Sequence, residues 1–202
     1  MTPHFVARQL SHPKGILGRV IVRLMNRHNA KLNAFAVRQL AARSSDRVLE
    51  IGFGGGVTLA PLIDAAGFVA GLDRSAYVVA RAAARFSDAV RAGRAEFRQG
   101  EVGAIPYAAG SFTRVCTVNT VYFWPSLGAG FTEIARVLSP GGRLCVGFLP
   151  KEAMDRLGVP ADLFTPRTPE DITGALAAAG FSGVRAERPR PTTAWTVVVA
   201  TR

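Results

Sequence analysis

The chain has 202 residues, a formal net charge of +11 from 25 Lys and Arg against 14 Asp and Glu, and two cysteines. With 49% hydrophobic and 19% charged residues it can fill one ordinary core, which excludes a disordered or fibrous chain. Two cysteines at unrelated spacing and three histidines (His4, His12, His28) exclude a disulfide framework and a four-ligand zinc site, and no resident metal is expected.

The first ten residues, MTPHFVARQL, lack the basic-then-apolar pattern of a leader. Residues 1–45 hold eight Lys or Arg and no acid, whereas the remainder holds 17 basic and 14 acidic residues. The stretch Lys14–Arg27 predicts an amphipathic helix. Ile16, Leu17, Val20, Ile21, Leu24 and Met25 recur at helical spacing, while Arg19, Arg23 and Arg27 fall four apart on one stripe. The plain reading of that stripe is a solvated helix face. The functional readings are contact with an anionic substrate, a membrane surface or nucleic acid. A second helix follows to about Arg43, with Leu32, Phe35, Ala36 and Leu40 inward. Residues 1–45 thus read as an N-terminal basic helical cover, and 46–202 as the main domain.

From Arg47 onward short β-rich runs alternate with Ala-rich helical stretches. The predicted strands are Arg47–Ile51, Gly67–Leu72, Ala95–Gln99, Arg114–Val118 and Arg143–Phe148. The predicted helices are Val57–Ala66, Ser75–Phe86 and Ala129–Leu138. Residues 150–166 read as a loop, Pro169–Ala179 as a helix closed by Gly180, and Val184–Arg188 with Ala194–Thr201 as a terminal antiparallel hairpin. Such alternation predicts an α/β fold, a doubly wound, mostly parallel sheet with helices on both faces. The longest uncharged stretch, Val115–Thr132, is interrupted by Thr117, Asn119, Thr120, Pro125 and Ser126, which a membrane span tolerates poorly. The chain therefore reads as a soluble, cytoplasmic protein.

Val48-Leu49-Glu50-Ile51-Gly52-Phe53-Gly54-Gly55-Gly56 is the strongest local signal, an apolar strand that ends in an acid and opens into glycines. Glycines allow a tight turn and close approach of a ligand to the backbone. No Gly-Lys-[Ser/Thr] ending is present, so a phosphate-cradling loop is excluded. Gly52 and Gly54 match a dinucleotide fingerprint, but Val57 stands at its third glycine. Glu50 would repel a pyrophosphate, whereas it can face an ammonium group. S-adenosylmethionine has an ammonium, a sulfonium and no phosphate, so the charge favours it over NAD. Asp73, 21 residues after Gly52, can accept from two ribose hydroxyls of either cofactor and does not discriminate.

At this point the sequence resembles the class I S-adenosylmethionine-dependent methyltransferases, in particular their small bacterial members. Four motifs carry the resemblance in order. They are Glu50-x-Gly52-x-Gly54-x-Gly56; Gly71-Leu72-Asp73-Arg74-Ser75; Gln99-Gly100-Glu101 leading to Ile105-Pro106-Tyr107 and Gly110-Ser111-Phe112; and Glu133 to Leu144 with its Pro140-Gly141-Gly142 turn. The resemblance implies a Rossmann-like sheet of seven strands with only the last antiparallel. It also implies that Glu50, Gly52, Gly54 and Gly56 hold the methionine end, that Asp73 binds the ribose, that Glu101 and Val102 meet the adenine edge, and that Phe53 and Arg74 join the cofactor-binding set. Asn119 and Thr120 then flank the sulfonium. The family's frequent Asp after Ser-Phe is Thr113 here.

Methyl transfer is an in-line displacement in which the protein supplies alignment and desolvation. Asn119-Thr120-Val121-Tyr122-Phe123-Trp124-Pro125 should flank the methyl. Many small-molecule relatives carry a His-His pair where this chain has Tyr122-Phe123. Tyr122 is the candidate hydrogen-bond donor there, and Trp124 an apolar wall or cation–π face for the acceptor. His28 is the preferred candidate base, with Asn29 beside it as a substrate contact. The expectation is a small-molecule methyltransferase for O- or N-methylation, using S-adenosylmethionine and releasing S-adenosylhomocysteine. A phospholipid methyltransferase at a membrane surface, or a basic nucleic-acid- or membrane-binding module, is the alternative. Nucleic acid is the weaker partner, and a monomer or a dimer stays open.

Overall fold

A computed structural model describes residues 29–202. The Lys14–Arg27 helix, its arginine stripe, His4, His12 and His28 lie outside the described residues. The description opens on a helix, α1, over residues 29–40. There follow β1 (Arg47–Ile51), α2 (Leu59–Ala65), β2 (Phe68–Asp73), α3 (Ala76–Arg85), α4 (Ser87–Arg91), β3 (Ala95–Gln99) and β4 (Phe112–Val118). A 3₁₀ turn at Val121–Phe123 leads to α5 (Leu127–Val137), β5 (Leu138–Phe148), α6 (Lys151–Leu157), α7 (Pro169–Ala178), β6 (Ser182–Glu187) and β7 (Thr196–Thr201).

The strands form one seven-stranded sheet in the order β3-β2-β1-β4-β5-β7-β6. Pairing is parallel from β3 through β5, while β7 runs antiparallel to both β5 and β6. The order reverses between β1 and β4. In an open α/β sheet the crevice at that reversal, beyond the carboxyl ends of the strands, is where ligands lie.

Two apolar layers cover the sheet. One, with Phe112, Phe131 and Phe148 wholly buried, gathers α5, α7 and the loops after β3 and β4. The other gathers α1, α2 and α3 on Val48, Val69, Val197 and Val199. Leu32, Phe35, Ala36 and Leu40 face inward from α1 as their spacing predicts, and Phe35 meets Trp195 at 5.4 Å between ring centroids. Each such large side chain contributes about 1.5–3 kcal/mol on burial, so this packing fixes α1 over the sheet.

Local chemistry sets the boundaries. The Ser75 hydroxyl caps α3 by accepting from Val78 N–H at 3.4 Å. Thr168 and Asp171 form a reciprocal capping box at α7, with Pro169 in its first turn. Gly180 closes α7 with φ +85°. At Asp46 the hydroxyl of Thr113 replaces the family's carboxylate. It donates to Asp46 Oδ1 at 2.8 Å and accepts from Arg47 N–H at 3.1 Å.

Three expectations need correction. Residues 150–166 are not all loop. Lys151–Leu157 is helical, capped by Gly158 in the left-handed region, and its Ala153 and Met154 are buried. Ser87–Arg91 forms a further short helix. The predicted Pro-Gly-Gly turn before the fifth strand lies inside the strand, which starts at Leu138 paired with Phe112. Gly141 N–H donates to Arg202 O at 3.0 Å and Arg202 N–H to Gly142 O at 2.9 Å. The turn glycines thereby hold the carboxyl end of the chain in the sheet.

Candidate functional site

Above the carboxyl ends of β1, β2 and β4 lies a cleft of about 740 Å³, within the usual size range of a small-molecule site. Its floor is the β1–α2 glycine turn. Gly52, Gly54 and Gly56 have φ of +71°, +47° and +66°, a region L side chains avoid. Gly52 N–H donates to Leu72 O at 2.7 Å, and a Cβ there would run into the Thr120 methyl. The backbone of β1 and the turn after β4 therefore close on each other only without a side chain. Phe53 is buried beneath the turn, its ring edge on Phe97.

Two carboxylates face this floor and are held differently. Glu50, at 3% exposure, accepts from the Thr58 hydroxyl through Oε1, while buried Oε2 has no partner. Burial, reinforced by the Asp73 charge, pushes its carboxyl up from 4.5 to about 7, against the Thr58 hydrogen bond. Asp73 is half-buried. Its Oδ2 accepts from Gly54 N–H and its Oδ1 from Ser75 N–H, each at 3.0 Å. A carboxylate offers about four acceptor sites, so both Asp73 oxygens retain capacity toward the cleft.

The turn after β4 forms the third wall. Asn119 adopts φ +58°. Its N–H donates to Gly147 O at 2.8 Å and its Oδ1 accepts from the Tyr122 hydroxyl at 3.1 Å. Thr117 donates to Ile51 O at 3.0 Å and its hydroxyl also meets that of Thr120. Val102 is buried and Glu101 exposed at the β3 end. Trp124, 5% exposed, packs edge-on against Phe131.

The cleft brings together Glu50, Gly52, Phe53, Gly54, Gly56 and Asp73 with Arg74, Glu101, Val102, Asn119 and Thr120. Asn29 and Trp124, predicted to touch the acceptor, also line it. Tyr122 does not. Its ring is buried, and its hydroxyl donates to Asn119 and accepts from Leu149 N–H. Burial raises that phenol well above its ordinary value, and its two hydrogen bonds tie the ring to Asn119 and Leu149. Sequence reasoning missed Thr58, which keeps Glu50 company from eight residues away, and Asn33 one turn beyond Asn29. It also missed Arg81 and Arg85, whose spacing of four on α3 was the available signal. Cys116 and Cys145 are register partners on β4 and β5, both buried and without a disulfide. Burial pushes Cys145 up to about 12.

Known proteins agree with this geometry. A family model described as a methyltransferase domain matches residues 49–146. An uncharacterized methyltransferase of Bacillus subtilis, YdaC, is 30% identical over 132 residues, covering 64% of this chain and 71% of that protein. The chain belongs to the class I S-adenosylmethionine-dependent methyltransferases. A demethylmenaquinone methyltransferase of Beutenbergia cavernae is 33% identical over 141 residues, 70% of this chain, which spans only 53% of that relative. Among solved structures, the YcgJ protein of Bacillus subtilis superposes with a TM-score of 0.68 at 19% identity, covering 79% of this chain and 71% of that one. The methyltransferase sheet of seven strands, one of them antiparallel, is thus both observed and shared. Among the described residues no helix is long and apolar enough to cross a membrane, and no cluster of His, Cys, Asp or Glu could hold a metal.

Proposed function

We propose that this methyltransferase binds S-adenosylmethionine across the β1–β4 crevice and transfers its methyl to a small-molecule acceptor by O- or N-methylation. The single observation that carries the cofactor assignment is the buried, unpartnered Oε2 of Glu50, a residue that lines the cleft. A buried acceptor without a donor is costly, and an ammonium group supplies donors and the charge that burial withholds. A pyrophosphate supplies neither. The donor set therefore fits a cationic nucleoside.

When bound, S-adenosylmethionine would supply an electrophilic methyl on its sulfonium sulfur, which the acceptor's nucleophile would attack in line while S-adenosylhomocysteine leaves. The chain's own residues do the positioning. Glu50 holds the ammonium, the free backbone of the glycine turn admits the methionine portion, and Asp73 accepts from the ribose hydroxyls. Arg74, Glu101 and Val102 flank the nucleoside. Asn119 and Thr120, fixed by Gly147 and Thr117, define the wall at the reacting sulfur. Trp124 and Asn29 border the space left for the acceptor and exclude water from it. His28 remains the proposed base and adjoins Asn29 in the chain. Demethylmenaquinone, named in one relative, supports a small-molecule acceptor without identifying this one.

The test is isothermal titration with S-adenosylhomocysteine, followed by incubation with a metabolite extract and isotopically labelled methyl donor. Saturable binding and label in a small molecule are expected. Absence of S-adenosylhomocysteine binding, with NAD bound instead, would refute the cofactor assignment.

A further inference from the structure

The cleft does not stop at the nucleoside cradle. It continues along α3, where Arg81 and Arg85 join its lining. These residues stand five and nine positions beyond Ala76, about 8 and 14 Å further along the helix axis. They lie four apart, so their side chains share one stripe.

Neither arginine is neutralised. Among the described residues no carboxylate forms an ion pair with Arg81 or Arg85. Arg81 rides on the Tyr77 ring, 5.7 Å from its centroid. Arg85 donates to Gly55 O and Gly56 O at 3.3 and 3.5 Å and lies 4.9 Å from the Phe86 centroid. Helix α3 itself contains no acid. Nor do residues 1–45, so no part of the N-terminal segment can supply a countercharge, wherever it lies. The acids that line the cleft, Glu50, Asp73 and Glu101, form no ion pair with either arginine; Glu50 Oε1 meets Thr58 and Asp73 accepts from backbone N–H groups.

We propose that Arg81, with Arg85 beside the glycine turn, forms an anion shelf on the α3 side of the cleft, and that the methyl acceptor carries a phosphate or carboxylate seated there. This rests on the methyltransferase reading of the site and adds the chemical class of its acceptor. Guanidinium groups bind such anions through paired donors and remain charged at all working pH values. Aromatic rings beneath them preorganise the donors without cancelling the charge. The ligand combines an anionic group with an apolar body facing Trp124 and Phe123. Its source is a soluble metabolite or a lipid headgroup.

The test uses the full chain, with and without saturating S-adenosylhomocysteine, and titrates phenyl phosphate against benzyl alcohol by calorimetry. Phenyl phosphate should bind at least about fivefold tighter than benzyl alcohol, the scale of one charge-assisted contact in a partly wet site. Arg81→Gln should remove that preference, Arg81→Lys should restore part of it, and S-adenosylhomocysteine affinity should change by less than about twofold, which also reports an intact fold. Equal binding of both probes, or an unchanged preference in Arg81→Gln, overturns the shelf. An equal loss of S-adenosylhomocysteine affinity also overturns it, by assigning the arginine to the cofactor's own carboxylate. Anion uptake without S-adenosylhomocysteine binding would instead refute the methyltransferase reading of the cleft while keeping the shelf. Vesicles of phosphatidylglycerol, compared with phosphatidylcholine, separate the sources. Arg81-dependent vesicle binding supports a headgroup, and its absence beside Arg81-dependent phenyl phosphate binding supports a soluble acceptor.

Discussion

Glu50→Gln should stabilise the protein and weaken cofactor binding, and the size of the first effect follows from burial. The folded state holds this carboxyl at about 7 against an ordinary 4.5. The neutral form is the one the fold favours, so its contribution is fully present below pH 4.5 and is lost as pH rises through 7. Glutamine keeps the shape and the acceptor for Thr58 but has no charge to desolvate. By linkage the ionisation penalty approaches about 3 kcal/mol above pH 8. Urea unfolding of ligand-free wild type and Glu50→Gln at pH 5 and pH 8 should show the variant gaining about 2–3 kcal/mol on wild type over that interval. Cofactor binding should move the other way. Loss of a charge-assisted hydrogen bond of about 1.5–3 kcal/mol would weaken S-adenosylhomocysteine roughly 10- to 100-fold at pH 8. Wild-type affinity should also fall as pH drops below 7, because binding first requires the carboxyl to ionise, and the variant should be flat. Parallel stability profiles for the two proteins, or equal affinity, would refute both the desolvated state of Glu50 and its role toward an ammonium.

The remaining predictions address the walls around Glu50. Asp73→Asn should weaken S-adenosylhomocysteine by about 1–3 kcal/mol in calorimetry, because one amide oxygen cannot serve both Gly54 N–H and Ser75 N–H and still meet a ribose; unchanged affinity contradicts the assignment. Gly52→Ala should cost roughly 1–3 kcal/mol in urea unfolding from its left-handed backbone alone, and Thr120→Ser added to it should recover the steric share by removing the methyl it meets. Tyr122→Phe strands Leu149 N–H and frees Asn119. It should cost about 1–2 kcal/mol of stability, with methyl-transfer rate falling more than S-adenosylhomocysteine affinity if the tyrosine positions the wall; equal falls would make its role purely structural.

What was legible in the sequence was whatever short-range chemistry dictates. Strand β1 falls on the predicted residues because an apolar run ends there at Gly52, β3 because an alternation of apolar Ala95 and Phe97 with polar residues ends at Gly100, and α7 starts at Pro169 because its capping box is written in four consecutive residues. The floor of the cleft was legible for the same reason, since Glu50 and the glycines lie within residues 50–56. What failed depends on pairing between distant segments. Leu138–Gly142 becomes strand only because Arg202 returns to bond its backbone, and a local reading of Pro-Gly-Gly gives a turn. Residues 151–157 form a helix although 150–166 is rich in Pro and charge, because Ala153 and Met154 find the core. Tyr122 was the candidate hydrogen-bond donor after β4, and its hydroxyl donates to Asn119 while accepting from Leu149, 27 residues further on. A single sequence shows which side chains can react and not which partners have already engaged them.

That distinction also explains why two carboxylates so close in the cleft are not redundant. Asp73 sits at a strand end where the next turn aims backbone N–H groups at it, so its charge is compensated by the fold before any ligand arrives. Glu50 lies at the penultimate position of the central strand, under Thr58, where the backbone is committed to β2 and β4 and has no donor to spare. Among the described residues only the Thr58 hydroxyl meets it, and Oε2 stays without a donor. A ligand with hydroxyls alone would gain at Asp73 and leave Glu50 unpaid, while a ligand pairing hydroxyls with a cation relieves both. In the proposed reading, the preference for S-adenosylmethionine over a dinucleotide therefore rests on the shortage of donors around Glu50 together with Val57 at the third glycine position of the turn.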